Sequence, residues 1–331
     1  MKKINLLDTT LREGSYVVDF SFSIEQTEAI CKALEEVGVE YIEIGHGVGL
    51  NAGNMGHGVA VASDKDYMLA AQRVLTKSKF GMFCIPGISQ LSDIDVAAAH
   101  GMGFLRVGTN VTAVASSKDF IKKAKDYGMF VCANFMKSYA ATPKEFAQLA
   151  SLSESYGADV VYIVDSAGSM FPQDIEIYYN EIRKISNVAV GFHGHDNLGF
   201  AVANTIKALE LGCMFIDSSL QGLGRSAGNV ATEVLIAVLI KLGLSKDYHL
   251  MKALGAGKNF IQSLVKRRGF DSLDIIFGLS EFHSSYMPII SKYAKKYNVA
   301  EEFLVMESAK IDKVQVEDAV VEKLARAAAQ L

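Results

Sequence analysis

Seven histidines occur in this chain, and two of them, His193 and His195, stand at alternate positions in the apolar run FHGHDNLG. On a strand, side chains at i and i+2 leave the same face, so both imidazoles are expected to point into one small volume. With the Glu13 carboxylate offered from beyond the first apolar run, they make a donor set for a divalent cation that leaves positions open for water or substrate. Manganese, magnesium, cobalt and zinc all suit such a set. A pair of hydrogen-bonded core histidines is the plainer account of the same spacing. Arg12, next to Glu13, is either an ion-pair partner of Glu43 or Asp165, or a guanidinium aimed at an oxygen where negative charge develops. The second use often supplies the largest catalytic term. Asp196 or Asn197 could fix an imidazole tautomer, and Asn197 is expected to cap the helix that starts near Leu198.

These residues need elements to position them. Short β-branched or apolar runs predict strands over 3–8, 39–45, 79–84, 103–108, 128–134, 159–165, 188–195 and 214–219. Helix-length segments lie between them. Ser23-Ile24-Glu25-Gln26 and Thr142-Pro143-Lys144-Glu145 read as capping boxes, the second with proline at the first helical position. Glycines ahead of several strands, as in EEVGVEYIEI and ESYGADVVYIV, read as left-handed helix ends. Eight strand-helix units with strands apolar enough for burial on both faces predict an α/β fold, a closed (β/α)8 TIM barrel. An open doubly wound sheet is the rival, but the first strand lacks the glycine-rich turn of a dinucleotide site, and the GLGRSAG cluster after the last strand is a weak signal for a nucleotide. Alternation stops near residue 245, which divides the chain into a catalytic barrel over 1–245 and a helical C-terminal extension over 246–331.

In this barrel the chemistry gathers where the C-terminal strand ends converge. Those ends hold Asp8, Arg12 and Glu13, then Glu43 and His46, Arg106, Asn134, Asp165, His193 and His195, with Arg225 and Asn229 in the loop after the eighth strand. His46, Arg106, Asn134 and Asp165 are the candidates for holding substrate.

The bulk composition narrows the function further. Half of the 331 residues are hydrophobic, about a fifth are charged and the net charge is −4, which fits a compact enzyme and offers no basic patch for nucleic acid. No signal peptide or membrane-spanning run appears, so a cytoplasmic location is expected. Cys31, Cys84, Cys132 and Cys213 form no CxxC pair and read as reduced core residues.

Taken together, LLDTTLREGS, EIGHG, HGHDNLGFAVANTIKALELG and DSSLQGLGRSAGN resemble the DRE-TIM metallolyases, the HMG-CoA-lyase-like superfamily of metal-dependent aldolases and Claisen synthases. The likeness covers nearly the whole barrel, with separated motifs in the family's order. GHGVGL, VANTIKALELGC and DSSLQGLGRSAGN look most like the 4-hydroxy-2-oxovalerate aldolase branch. The resemblance implies cleavage or formation of a 4-hydroxy-2-oxo acid through a pyruvate enolate, usually with manganese, and an acylating aldehyde dehydrogenase as partner. It implies Glu13, His193 and His195 as metal ligands, Arg12 as the enolate stabiliser, and Asn229 as a match to a ligand of the synthase branch.

Two departures from the family pattern matter. Glu13 stands where aspartate is usual. Tyr16 stands where a histidine is expected, and His283, in EFHSSYMP, where a tyrosine is expected, so the two residue types have changed places. Tyr16 and His283 are therefore expected to relay the hydroxyl proton together. With Tyr16 at the aldehyde end, the acceptor is expected to be larger or more polar than acetaldehyde, such as a sugar aldehyde. The competing readings are a Claisen-type acyl-CoA-dependent synthase of the isopropylmalate or homocitrate kind, and a non-catalytic barrel scaffold. The short extension counts against the first; intact Arg12, Glu13, His193 and His195 count against the second. A homo-oligomer is expected.

Overall fold

The computed structural model describes residues 3–244, 247–265 and 271–330. Eight parallel strands, β1 (Asn5–Asp8), β2 (Tyr41–Glu43), β3 (Lys79–Cys84), β4 (Phe104–Asn110), β5 (Phe130–Met136), β6 (Val160–Asp165), β7 (Ala189–Gly194) and β8 (Phe215–Ser218), stand in chain order and close with β8 beside β1. The predicted barrel is therefore present. Where strand limits differ, a local cause is visible: β2 ends at Glu43 because Gly45 turns the chain at φ +87°. Helix Ile24–Val37 starts on the Ser23 capping box and ends on Gly38 at φ 100°, and Pro143–Tyr156 runs from the Thr142 box to Gly157 at φ 107°. All four cysteines are buried and free.

Strand alternation stacks the barrel interior in layers. At the base, Leu7, Tyr41 and Phe104 pack with Phe130 and Phe215. One step up β2, β4, β6 and β8 the inward residues become Glu43, Arg106, Tyr162 and Asp217, because the period of two keeps them on the same face. The Arg106 guanidinium lies 4.6 Å from the Tyr162 ring centre. Beside that ring β7 carries Gly191, where a Cβ would lie 2.7 Å from Tyr162. A charged layer thus rests on an aromatic floor, directly beneath the mouth.

After the barrel, helix Leu250–Ala256 joins the barrel core, and Tyr248 ties it to β1 by accepting from the Leu6 N–H at 3.1 Å and donating to the Ile4 carbonyl at 2.9 Å. Helices Ser272–Ser280, Met287–Tyr297, Glu301–Ile311 and Asp318–Ala328 share a separate core around Phe277, Phe282, Ile290, Leu304 and Val321. They meet the barrel at its mouth: Asn197 donates to the Asp274 carbonyl at 3.1 Å, and Gly278 leaves room for Leu198. The expected division between residues 245 and 246 lies outside the described residues. Among the described residues no helix is long and apolar enough to cross a membrane.

Candidate active site

β1 ends at Asp8, whose carboxylate accepts from the Thr10 N–H at 2.8 Å and so starts the short helix Thr10–Ser15. That turn lays Arg12 and Glu13 across the barrel mouth. His193 is inward on β7, and His195, just past the strand end, makes an isolated bridge with Asn229. Donor atoms of Glu13, His193 and His195 all lie within 4.8 Å of one another, with every one of the three side chains buried. The amide nitrogen of Asn229 is 3.3 Å from Nε2 of His193, and its Oδ1 has no partner among the described residues, so turning that amide over would add an oxygen to the group.

The electrostatics suit ligands for a cation. Burial favours the neutral form of Glu13, yet the Arg12 guanidinium beside it outweighs burial and holds the carboxyl at about 2. Burial drives His195 down to about 3 against the pull of Glu13, leaving a neutral imidazole. His193 donates from Nδ1 to Asp217 Oδ2 at 2.7 Å, which keeps Nε2 for the cluster. Glu13 Oε2 and His195 Nδ1 are buried with no partner among the described residues. Unpartnered buried polar atoms on side chains whose donor atoms lie within 4.8 Å of one another fit a bound cation.

The layer below holds these groups in place. Asp217 also accepts from Arg106 Nη2 at 2.6 Å; Arg106 Nη1 donates to Glu43 Oε2 at 3.0 Å, and Arg12 Nε donates to the same oxygen at 2.8 Å. Arg12 in turn donates to Glu13. A chain of alternating charge therefore runs from Asp217 through Arg106, Glu43 and Arg12 to Glu13, with His193 hydrogen-bonded to its first member. Burial favours protonation of Asp217, but Arg106 and His193 hold its carboxyl below the ordinary range.

A small cavity of about 60 Å³ opens on this cluster, and its walls include Arg12, Glu13, Tyr16, Asn134, His193, His195, Arg225 and His283. Three of the four substrate candidates stay outside it. His46 stacks on Phe20 at 3.9 Å between ring centres, behind the wall residue Gly47. Arg106 is fully enclosed in the charged layer, where its Nε donates to Asn134 Oδ1 at 3.2 Å. Asp165 accepts from the backbone N–H groups of Ser169 and Met170 at 2.9 and 3.2 Å, and burial raises its carboxyl to about 7. Asn134 alone of these four reaches the cavity. The helix cap also differs from expectation: Asp196 accepts from the Ala201 N–H at 3.0 Å, while Asn197 donates to Ser226 and Asp274. An aspartate one residue earlier reaches the first free N–H of helix Ala201–Leu211, which starts later than predicted.

The sequence reading missed the role of Asp217. Its signal was the alternation of FIDS, in which Phe215 faces the barrel base and Asp217 must face the same way.

Fold and site together define a TIM-barrel enzyme with a carboxylate-and-imidazole centre at the mouth. Residues 3–259 match the family described as HMGL-like. A protein of Carboxydothermus hydrogenoformans named 4-hydroxy-2-oxovalerate aldolase is 36% identical over 314 residues, covering 95% of this chain and 94% of its own. One of the same name from Moorella thermoacetica is 35% identical over 307 residues, covering 92% and 91%. The carboxyl transferase domain of Rhizobium etli pyruvate carboxylase, solved with pyruvate and biocytin, has a TM-score of 0.81 at 16% identity, over 100% of this chain and 61% of that one, which is a likeness of fold. The chain belongs to the HMGL-like family and is an enzyme of the lyase class.

Proposed function

We propose that this chain is a divalent-metal-dependent aldolase, active in the cytoplasm, that cleaves or forms a 4-hydroxy-2-oxo acid through a pyruvate enolate. The observation that carries the reading is the buried meeting of Glu13, His193 and His195 beside Arg12. Those three side chains would hold the ion, with Asn229 in reach of it, and manganese is the first choice ahead of magnesium, cobalt or zinc. When bound, the cation supplies Lewis-acid polarisation of a 2-oxo acid.

The chain's own groups do the rest. Arg12 is fixed by Glu43 and Glu13 and lies 4.9 Å from the Phe83 ring centre, so its charge is already oriented when the substrate oxygen becomes negative. Preorganised charge of this kind needs no rearrangement during reaction. Phe83, Ile85, Met136 and Val164 give the cavity apolar walls that exclude water.

At the other end of the substrate stand Tyr16 and His283. Burial, with Arg225 and Lys137 nearby, pushes the His283 imidazole well below its ordinary range, so the ring is neutral. Its Nδ1 is 2.7 Å from Ser285 Oγ. Nδ1 also accepts from the Ser285 backbone N–H at 3.2 Å, so the neutral ring carries its proton on Nε2, and that nitrogen can take the C4 hydroxyl proton as the C3–C4 bond breaks once its own proton has shifted to Nδ1. Burial raises the Tyr16 phenol, which keeps it protonated as a hydrogen-bond donor to the same oxygen.

The test is deuterium exchange into the methyl group of pyruvate, run with manganese and without aldehyde. Exchange that depends on Glu13 and Arg12 is the expected result. Metal binding with no exchange would remove the enolate and the aldolase reading with it.

A further inference from the structure

Beside the small cavity lies a cleft of about 750 Å³, walled by the loop 221–228, Glu233, Leu254 and Ser284. Tyr16 and Arg225 belong to the walls of both, so the cleft continues the cavity at the end where the aldehyde is formed. Such a volume is in the range that holds ligands far larger than a two-carbon aldehyde.

The chemistry of its walls is anion-binding. Arg12 and Arg106 are ion-paired, whereas Arg225 has no carboxylate at ion-pair distance among the described residues. Its guanidinium instead lies 4.5 Å from the Tyr16 ring centre, held at the junction of cavity and cleft. In the same loop the backbone N–H groups of Gly224, Arg225, Ser226 and Ala227 have no acceptor among the described residues, while Gly228 N–H bonds back to the Arg225 carbonyl at 2.9 Å. Ser226 sits at φ 55°, in the left-handed region. Successive free N–H groups in a turn of this kind form concavities for anions.

The loop is also held ready. Ser226 Oγ accepts from Asn197 at 2.6 Å and donates to Asp274 at 3.1 Å, which fastens the turn to the C-terminal helices. The acidic residue of the cleft, Glu233, is already engaged by the backbone and side-chain N–H groups of Gln221 at 2.9 and 2.7 Å.

Resting on the aldolase reading above, we propose that Arg225 and the 224–227 backbone bind a phosphate or carboxylate borne by the aldehyde at the end remote from its carbonyl. The substrate is then a 4-hydroxy-2-oxo acid with an anionic tail. Its cleavage breaks C3–C4, passes the C4 hydroxyl proton to the enzyme, and returns one proton to the enolate carbon, so that pyruvate and an anionic aldehyde leave without any change of redox state.

The test runs the condensation of pyruvate with matched aldehydes: glyceraldehyde 3-phosphate against glyceraldehyde, and succinic semialdehyde against butanal. The expected kcat/KM advantage of at least one anionic member is about ten- to a hundredfold, as for hydrogen bonds to a charged group. R225Q should collapse that ratio and R225K should keep part of it. Calorimetric titration with inorganic phosphate, which needs no turnover, should show binding by the wild type and a loss in R225Q. Preference in the first pair alone assigns a phosphate tail, and in the second alone a carboxylate tail. No preference in either pair, or one that survives in R225Q, overturns the proposal while pyruvate exchange still supports the aldolase. Absence of that exchange in the wild type overturns both.

Discussion

Replacing Asp217 with asparagine separates the metal-orienting role of this residue from simple core packing. Asp217 Oδ2 accepts both from His193 Nδ1 at 2.7 Å and from Arg106 Nη2 at 2.6 Å. An asparagine has one acceptor and one donor where the wild type has two acceptors. Because both contacts fall on Oδ2, an oxygen kept there by Arg106 still accepts from His193 and the NH2 takes the place of Oδ1; what the substitution removes is the negative charge that holds the imidazole proton on Nδ1 and leaves Nε2, the atom facing Glu13, bare. A weaker hold on that proton lets the other tautomer compete for the nitrogen required for a cation. Loss of such an outer partner usually weakens metal binding ten- to a hundredfold, about 1.4 to 2.8 kcal/mol. The stability cost should fall at the low end of the range for breaking a buried pair, about 3 kcal/mol, because Arg106 keeps Glu43 at 3.0 Å. Manganese titration followed by paramagnetic relaxation reads the first effect, and urea unfolding of the metal-free protein reads the second. A D217N protein that binds manganese as tightly as the wild type, even though it has lost stability, would refute the tautomer argument.

Three further outcomes are expected. Alanine at His283 should lower aldol turnover by about a hundred- to ten-thousandfold while manganese affinity stays unchanged; unaltered turnover would remove His283 from the proton relay. Manganese at a hundred times its dissociation constant should stabilise the wild type by about 2.7 kcal/mol, read as a rise in Tm, and E13Q should lose most of that response. Burial raises the Asp8 carboxyl to about 7, so between the ordinary carboxylate range and pH 7 the folded chain holds a proton that the unfolded chain has released. Stability should therefore fall as pH rises through that window and level off above it. D8N should reduce the slope of Tm between pH 5 and 8 without abolishing it, since Asp165, also at about 7, contributes with the same sign.

The donor set was legible because it depends on local rules. His193 and His195 share a face through the strand period, and Glu13 follows the end of β1 by a single helical turn. Depth within the barrel was less accessible. Arg106, His46 and Asp165 are expected at strand ends from the sequence, yet Arg106 is the third residue of β4 and enclosed below the cavity, His46 stacks on Phe20 behind Gly47, and Asp165 spends its carboxyl on loop N–H groups. Polarity at a strand end tells where the chain passes, whereas the distance to the cavity depends on how far neighbouring strands are staggered.

Strand and helix periods, the Ser23 and Thr142 caps, the repeat of eight units and the shared face of His193 and His195 follow from interactions within a few residues or from the repeat itself. Only the tertiary structure decided which distant groups complete the site. Closure puts β8 beside β1 and β7, so Asp217 can orient His193 while gripping Arg106. Docking of the C-terminal helices on the mouth carries His283 to Tyr16 and braces the Arg225 loop through Asp274. Those contacts span tens to hundreds of residues, and their partners are selected by packing and charge in three dimensions, for which no spacing along the chain is a substitute.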